Sequence, residues 1–179
     1  MENKSKLFET ERLILRRLEL TDAEDMFNNY CGSDIVTEYL SWNTHGSIQD
    51  TKDYLEKVVL PNYEDGNSYY WAIVLKETNQ VIGSIEAFKI DESNKSIMLG
   101  WVLGEKFWGQ GLIPEAARVV RDYLFSEGFV RIWAYHNIEN KKSGRVMQKI
   151  DMLHEGTLKK YSKDKNGNFI DCDLYAITK

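Results

Sequence analysis

The sequence predicts an α+β fold, a mixed sheet with at least one parallel crossover, and three observations lead there. Two helical patterns occupy the first third of the chain, three β-rich segments parted by short polar turns fill the middle, and helix alternates with strand from Pro114 onward. Neighbouring strands joined by tight turns pair antiparallel, whereas a strand–helix–strand unit pairs its strands parallel, so a chain carrying both builds a mixed sheet.

In chain order, Glu9 to Leu18 reads as an opening strand around Leu13-Ile14-Leu15. Thr21-Asp22-Ala23-Glu24 follows as a capping box, starting a helix with Ala23, Met26 and Phe27 inward. Ser47 to Leu60 repeats the signal, with Ser47 or Asp50 as cap, Tyr54, Leu55, Val58 and Val59 at helical spacing, and Pro61 as a stop. Tyr69 to Lys76, Gln80 to Ile90 and Ser96 to Leu103 are rich in Val, Ile and aromatics, and predict an antiparallel meander. A helix is predicted from Pro114 to Glu127, closed by Gly128; then come a strand over Val130 to Tyr135, a helix over Lys141 to Ile150, and a strand pair around Asn166-Gly167. The chain carries no internal repeat or Pro/Gly/Ser-rich linker, which predicts a loose N-terminus over residues 1–8 and one domain over 9–179.

Composition removes several function classes. The net charge is -5, so no basic field is present to attract a nucleic-acid backbone. The strongly apolar runs, Ser68 to Leu75 and Ser96 to Gly104, are under half the length of roughly 20 residues that a membrane-spanning helix needs. The start of the chain lacks the apolar segment of an export signal. Cys31 and Cys172 have no close Cys or His partner, so neither a disulfide frame nor a metal site is expected, and a reducing cytoplasm fits.

The segment that carries chemistry runs from Leu99 to Ala116: a strand, the loop Trp108-Gly109-Gln110-Gly111, and the start of a helix. A helix start leaves its first N–H groups unpaired and carries partial positive charge, and glycines let a ligand approach the backbone, so the junction suits a phosphate or diphosphate. Two glycines also make a plain tight turn. The third glycine of a dinucleotide fold and the Gly-Lys-Ser/Thr of a triphosphate loop are both missing. Pro114 suits the first helical position, having no N–H to leave unpaired.

These residues resemble the GNAT superfamily of acyl-CoA-dependent N-acetyltransferases, whose phosphate motif is Gln/Arg-x-x-Gly-x-Gly/Ala. Here the aligned residues are Trp108 to Ile113, with Gly111 matching and the first and last positions departing. The branch resembling ribosomal-protein N-terminal acetyltransferases accounts for Trp-Gly-x-Gly followed by Glu115-Ala116, the opening Glu9 to Arg16, Gly100-Trp101, and Asn140-x-x-Ser143-x-Arg145-Val146-Met147-x-Lys149. Asp151 stands where a Gly usually precedes an aromatic or Met.

The resemblance implies a central, mostly antiparallel mixed sheet with a splayed parallel strand pair, and acetyl-CoA as co-substrate. It implies that Trp101, Val102 and Leu103 offer backbone groups to the pantetheine arm, and that amides of Trp108, Gly109, Gln110, Gly111, Leu112 and Ile113 hold the diphosphate. The basic run Lys141, Lys142, Arg145 and Lys149 is either a solvated helix face or a contact to the CoA phosphates. Met147 stands where the wider family often has a Tyr acid, and in the branch resembled Ser143 takes that role beside Asn140; both are also ordinary helix-start caps.

For a base, Glu86 lies in an otherwise apolar strand, where partial burial would raise its pKa, and His136 titrates in the right range. Tyr161 and Glu38 are further candidates. Ile35 to Trp42 either contacts a cationic amine or plugs the core with Tyr39, Leu40 and Trp42. The expectation is a cytoplasmic enzyme, monomer or homodimer, acetylating a protein N-terminus or a small amine in a ternary complex. The alternatives are a non-catalytic acyl-CoA-binding module, permitted by Ile113, Asp151 and Met147, and a protein-interaction domain.

Overall fold

The computed structural model describes residues 5–65 and 68–179. Among them eight strands form one mixed sheet in the order β1-β2-β3-β4-β5-β6-β8-β7. The strands are β1 (Phe8–Glu9), β2 (Leu13–Arg16), β3 (Tyr69–Leu75), β4 (Gln80–Asp91), β5 (Ser96–Leu103), β6 (Arg131–Asn137), β7 (Leu153–Lys163) and β8 (Phe169–Thr178). All neighbours pair antiparallel except β5 and β6, which are parallel over Ser96–Met98 and Arg131–Trp133 and carry no further pairing beyond. The mixed sheet and the splayed parallel pair are those expected.

Helices cover both faces. On one side lie α1 (Ala23–Met26), α2 (Asp34–Thr37), α3 (Ile48–Tyr54) and α4 (Leu60–Asp65), packed against Tyr70, Ala72, Val74 and Val81. On the other lie α5 (Leu112–Ser126) and α6 (Lys141–Lys149), over Trp71, Ile73, Ile85, Ile97 and Leu99. The inner stripe of α5, Leu112, Ile113, Ala116, Ala117, Val120 and Leu124, is buried. Each large apolar side chain of that kind contributes about 1.5–3 kcal/mol, so tertiary packing rather than propensity fixes this helix and hence its N-terminus.

Several local expectations are corrected. The first capping box is formed by Glu19 and Asp22, not Thr21 and Glu24, because Asp22 also accepts a two-pronged contact from Arg16 at 2.8 and 2.7 Å. Ser47 does cap its helix, but Pro61 does not end it: a wide π turn at Leu55–Val59 leaves room for the proline ring, and the helix continues as α4. Helix α2, capped by Ser33, has no counterpart among the expected elements. The expected loose N-terminus extends through residue 8. Residues 1–4 lie outside the described residues, but Ser5 Oγ accepts the Tyr70 N–H at 3.1 Å and the Lys6 carbonyl accepts the Trp71 indole at 2.8 Å, which ties residues 5–8 to the sheet.

Among the described residues no helix is long and apolar enough to cross a membrane, and no group of three or more His, Cys, Asp or Glu side chains is gathered for a metal.

Candidate functional site

A cleft of about 840 Å³ lies beside the end of β5, beyond the stretch that pairs with β6, between the glycine loop and α6. Gly104 N–H donates to the Ile82 carbonyl, so by the two-residue alternation of a strand Val102 and Gly100 turn their backbone toward β4. Trp101 and Leu103 therefore turn theirs into the gap. Consistent with this, the Leu103 carbonyl accepts the Trp108 indole N–H at 2.8 Å. Apart from that carbonyl, this edge has no strand paired to it among the described residues and is a ready partner for an extended, amide-bearing chain.

The floor at one end of the cleft is the glycine loop. Gly109 and Gly111 take φ of +79° and +78°, a conformation only glycine adopts without strain. Gly111 is itself the cap of α5 and Glu115 N–H makes the first helical bond back to its carbonyl, so the N–H groups of Gly111, Leu112 and Ile113 are free of helical partners. Pro114 is the third helical residue rather than the first. The expected benefit survives the shift, since the third N–H of a helix is unpaired anyway. Gln110 is exposed and closes the turn on itself, its side-chain amide donating to the Lys106 carbonyl at 3.2 Å.

The opposite wall is α6. Asn140 caps it, Oδ1 accepting the Ser143 N–H at 3.2 Å. Lys141, Lys142, Arg145 and Lys149 are all exposed and all line the cleft, so the basic run is a solvated face that also borders the groove. The Lys142 ammonium sits 3.7 Å from the Trp108 ring centroid, joining α6 to the glycine loop. Unpaired backbone, free helix N–H groups and four cations in one groove fit a long, amide-bearing, polyphosphorylated ligand. Asp151, at φ +66° just after α6, holds the left-handed turn usually given to Gly, as Asp tolerates better than most residues, and pairs with Arg121 at 2.7 Å.

A second, smaller cavity of about 210 Å³ meets the first at Trp101, Val102, Asn140 and Ser143, which border both. Glu86 lies on its wall. It stands across from Tyr70 on β3 and Gly100 on β5, and a Cβ at Gly100 would fall 3.2 Å from Glu86 Oε1, so the absent side chain makes the space the carboxylate occupies. Burial raises the Glu86 pKa above the ordinary carboxylate range, partly opposed by a hydrogen bond from Tyr70. The Tyr70 hydroxyl is pushed up to about 12 by burial and by the Glu86 charge. The Tyr54 hydroxyl is raised for the same two reasons. Trp42, His45 and Tyr54 form an aromatic wall with ring separations of 5.3 and 5.8 Å.

The other candidates fare differently. His136 donates from Nδ1 to the Asn137 carbonyl at 2.7 Å, while Nε2 is buried without a partner against Gly144, where a Cβ would come within 2.7 Å. His136 borders the smaller cavity, but its Nε2 faces Gly144 of α6 and its Nδ1 is held by the backbone. Tyr161 packs its ring edge-on against Tyr135, which borders the smaller cavity, and itself lines neither cavity. Glu38 is exposed on the rim shared by the two. Tyr39 is 40% exposed and does not plug the core, whereas Trp42 is half-buried against the α1 to α4 core. Met147 is core. Tyr54, Tyr70 and Gly100 carry no local signal that marks them as site residues; the placement of three strands side by side brings Tyr70 and Gly100 to Glu86, and the packing of α3 on the sheet brings Tyr54.

A splayed strand edge leading to a helix N-terminus, with a half-buried carboxylate on the strand next to that edge, defines an acyl-CoA-dependent acyltransferase cleft. The family model described as "Acetyltransferase (GNAT) domain" matches residues 12–153, and the chain belongs to that family. It is an acetyltransferase with acetyl-CoA as co-substrate. It is 32% identical over 171 residues to an uncharacterized N-acetyltransferase, p20, of Bacillus licheniformis, covering 95% of this chain and 94% of that one. It is 29% identical over 105 residues, 58% of each chain, to a ribosomal-protein-serine acetyltransferase of Escherichia coli. The crystal structure of a GNAT-family acetyltransferase from Bacillus anthracis superposes with a TM-score of 0.83 at 29% identity, covering 97% of this chain and 98% of that one.

Proposed function

We propose that the chain transfers the acetyl group of acetyl-CoA directly to a primary amine held in the smaller cavity, with Glu86 taking the proton the amine must lose. The observation that carries this is the meeting of two clefts at one wall, with the Glu86 carboxylate on the acceptor side and the open β5 edge on the donor side. Acetyl-CoA supplies an activated thioester. The backbone of Trp101 and Leu103 would align its pantetheine arm, the N–H groups of Gly111, Leu112 and Ile113 would hold its diphosphate, and Arg145 and its lysine neighbours would face the phosphates.

A base must be within reach and have a pKa near working pH, and burial moves the Glu86 carboxyl in that direction. Ser143 lines both cavities, which supports a role for its hydroxyl in hydrogen-bonding the departing sulfur. Asn140 orients it by capping the helix on which it sits. The acceptor is a protein N-terminal amine or a small amine; the aromatic wall and the Glu86 carboxylate support an amine with an apolar body, and the relative named as a ribosomal-protein-serine acetyltransferase supports a protein acceptor. All these groups come from one chain, so the reading holds for a cytoplasmic monomer or homodimer.

The test is release of free CoA thiol from acetyl-CoA across a panel of peptides with free N-termini and of small primary amines. Saturable release with at least one class is expected. Binding of CoA without turnover across the panel would leave a non-catalytic module instead. Saturating acetyl-CoA is also expected to raise the unfolding temperature, since a ligand at about a hundred times its Kd adds roughly 2.7 kcal/mol; absence of any shift would remove the donor site itself.

A further inference from the structure

The glycine loop is braced from below by residues a hundred positions away. Glu115, in the first turn of α5, accepts from Thr10 Oγ1 at 2.6 Å, from the Arg12 backbone N–H at 3.0 Å and from Arg12 Nε at 2.8 Å, and pairs with Arg12 Nη2 at 2.6 Å. These contacts and the Arg12 charge outweigh burial and hold the Glu115 carboxyl below its ordinary pKa. The remaining arm of the guanidinium, Nη1, donates to the Gln110 carbonyl at 2.9 Å.

That last bond has a geometric consequence. The Gln110–Gly111 peptide is trans, so its carbonyl and its N–H point in opposite directions. Drawing the Gln110 oxygen toward Arg12 turns the Gly111 N–H away from Arg12, toward the cleft that Gly111 lines. Arg12 Nη2 lies 3.8 Å from where a Gly111 Cβ would be, so the guanidinium packs directly beneath the turn. A Cβ at Gly109 would meet nothing within 4 Å, which leaves the tip of the loop unsupported on that side.

We propose that Arg12, fixed by Glu115, is a positioning residue for the diphosphate of the donor: it sets the orientation of the Gln110–Gly111 peptide and does not itself bind phosphate, its charge being matched by Glu115. This rests on reading the glycine loop as the diphosphate site. A planar guanidinium can bridge a carboxylate and a carbonyl at once, whereas a single ammonium cannot match both directions.

The test compares acetyl-CoA with S-acetylpantetheine, a donor that has the thioester arm but no diphosphate, in the parent chain, in Arg12→Gln and in Arg12→Lys, with calorimetric Kd values for CoA alongside. In both variants the ratio of kcat/KM for acetyl-CoA over S-acetylpantetheine is expected to fall about tenfold, the worth of one charge-assisted hydrogen bond, through KM rather than kcat, and CoA binding to weaken by the same factor. A parental ratio and parental CoA affinity in Arg12→Lys would overturn the proposal. So would a parallel loss with both donors, which would mark Arg12 as a brace for the fold alone. A parent chain that uses the two donors equally well would instead sink the diphosphate reading of the loop.

Discussion

The donor groove and the acceptor cavity share a wall yet are built on opposite principles. The donor groove is made largely of backbone: the open edge of β5, two left-handed glycines and the unpaired N–H groups of α5. The acceptor cavity is made of side chains from separate segments, with Trp42 and His45 from the loop before α3, Tyr54 from α3 and Glu86 from β4, the last standing beside Tyr70 across the ladder on β3. Main-chain geometry can be kept while side chains change, provided a few residues that permit it remain. A side-chain cavity changes whenever any contributor does. The difference teaches that donor binding is a property of a loop and a strand, and acceptor choice a property of the assembled face.

The sharpest way to break this contrast is Gly111→Val. A branched residue at φ +78° carries about 1–2 kcal/mol or more of local strain and distorts the loop, so calorimetry is expected to find CoA binding lost while circular dichroism keeps its folded spectrum. Unchanged CoA affinity would falsify the backbone cradle.

Next in size is Glu86→Gln, which should leave CoA affinity alone and lower kcat/KM by about 10²–10⁴-fold, the usual worth of a general base. Because burial raises the Glu86 pKa, the parent is expected to gain activity as pH climbs through that raised value, and the variant to lose that limb. The same shift bears on stability. A carboxyl whose folded pKa lies above its unfolded one favours the fold fully only at pH below the unfolded value, and loses that contribution as pH rises through the folded value. The Gln variant should therefore melt above the parent near neutrality, with the gap closing in acid; a constant gap would show that Glu86 is not the group responsible.

Ser143→Ala should lower kcat by about tenfold, one hydrogen bond to the sulfur, with little change in CoA affinity. A fall in affinity with kcat intact would move Ser143 to the donor groove's holding set. The smallest effect is reserved for Tyr70→Phe, which removes the hydrogen bond that opposes the rise in the Glu86 pKa. Its acid limb is expected to move to higher pH with the plateau rate nearly kept, and a limb that stays in place would separate Tyr70 from Glu86.

Much of the donor side is legible in the amino-acid sequence. The turn at Gly109 and Gly111 follows from glycine's freedom, the α5 start from the loop-to-helix pattern, and the mixed sheet from the order of meander and crossover. Local signals mislead where a distant partner overrides them. Arg16 claims Asp22 and moves the first cap, and a wide turn absorbs Pro61. His136 has the residue type of an available base, but α6 packs Gly144 onto its ring.

The sequence by itself determined the glycine loop, the helix it opens and the alternation that leaves one side of β5 facing outward, because each depends on residues close together in the chain. Tertiary structure alone decided that Tyr70, Gly100 and Tyr54 surround Glu86, that His136 is covered, and that Arg12 reaches Gln110. Those contacts join segments tens of residues apart, and the packing of side chains between strands and helices, which no local pattern encodes, selects them.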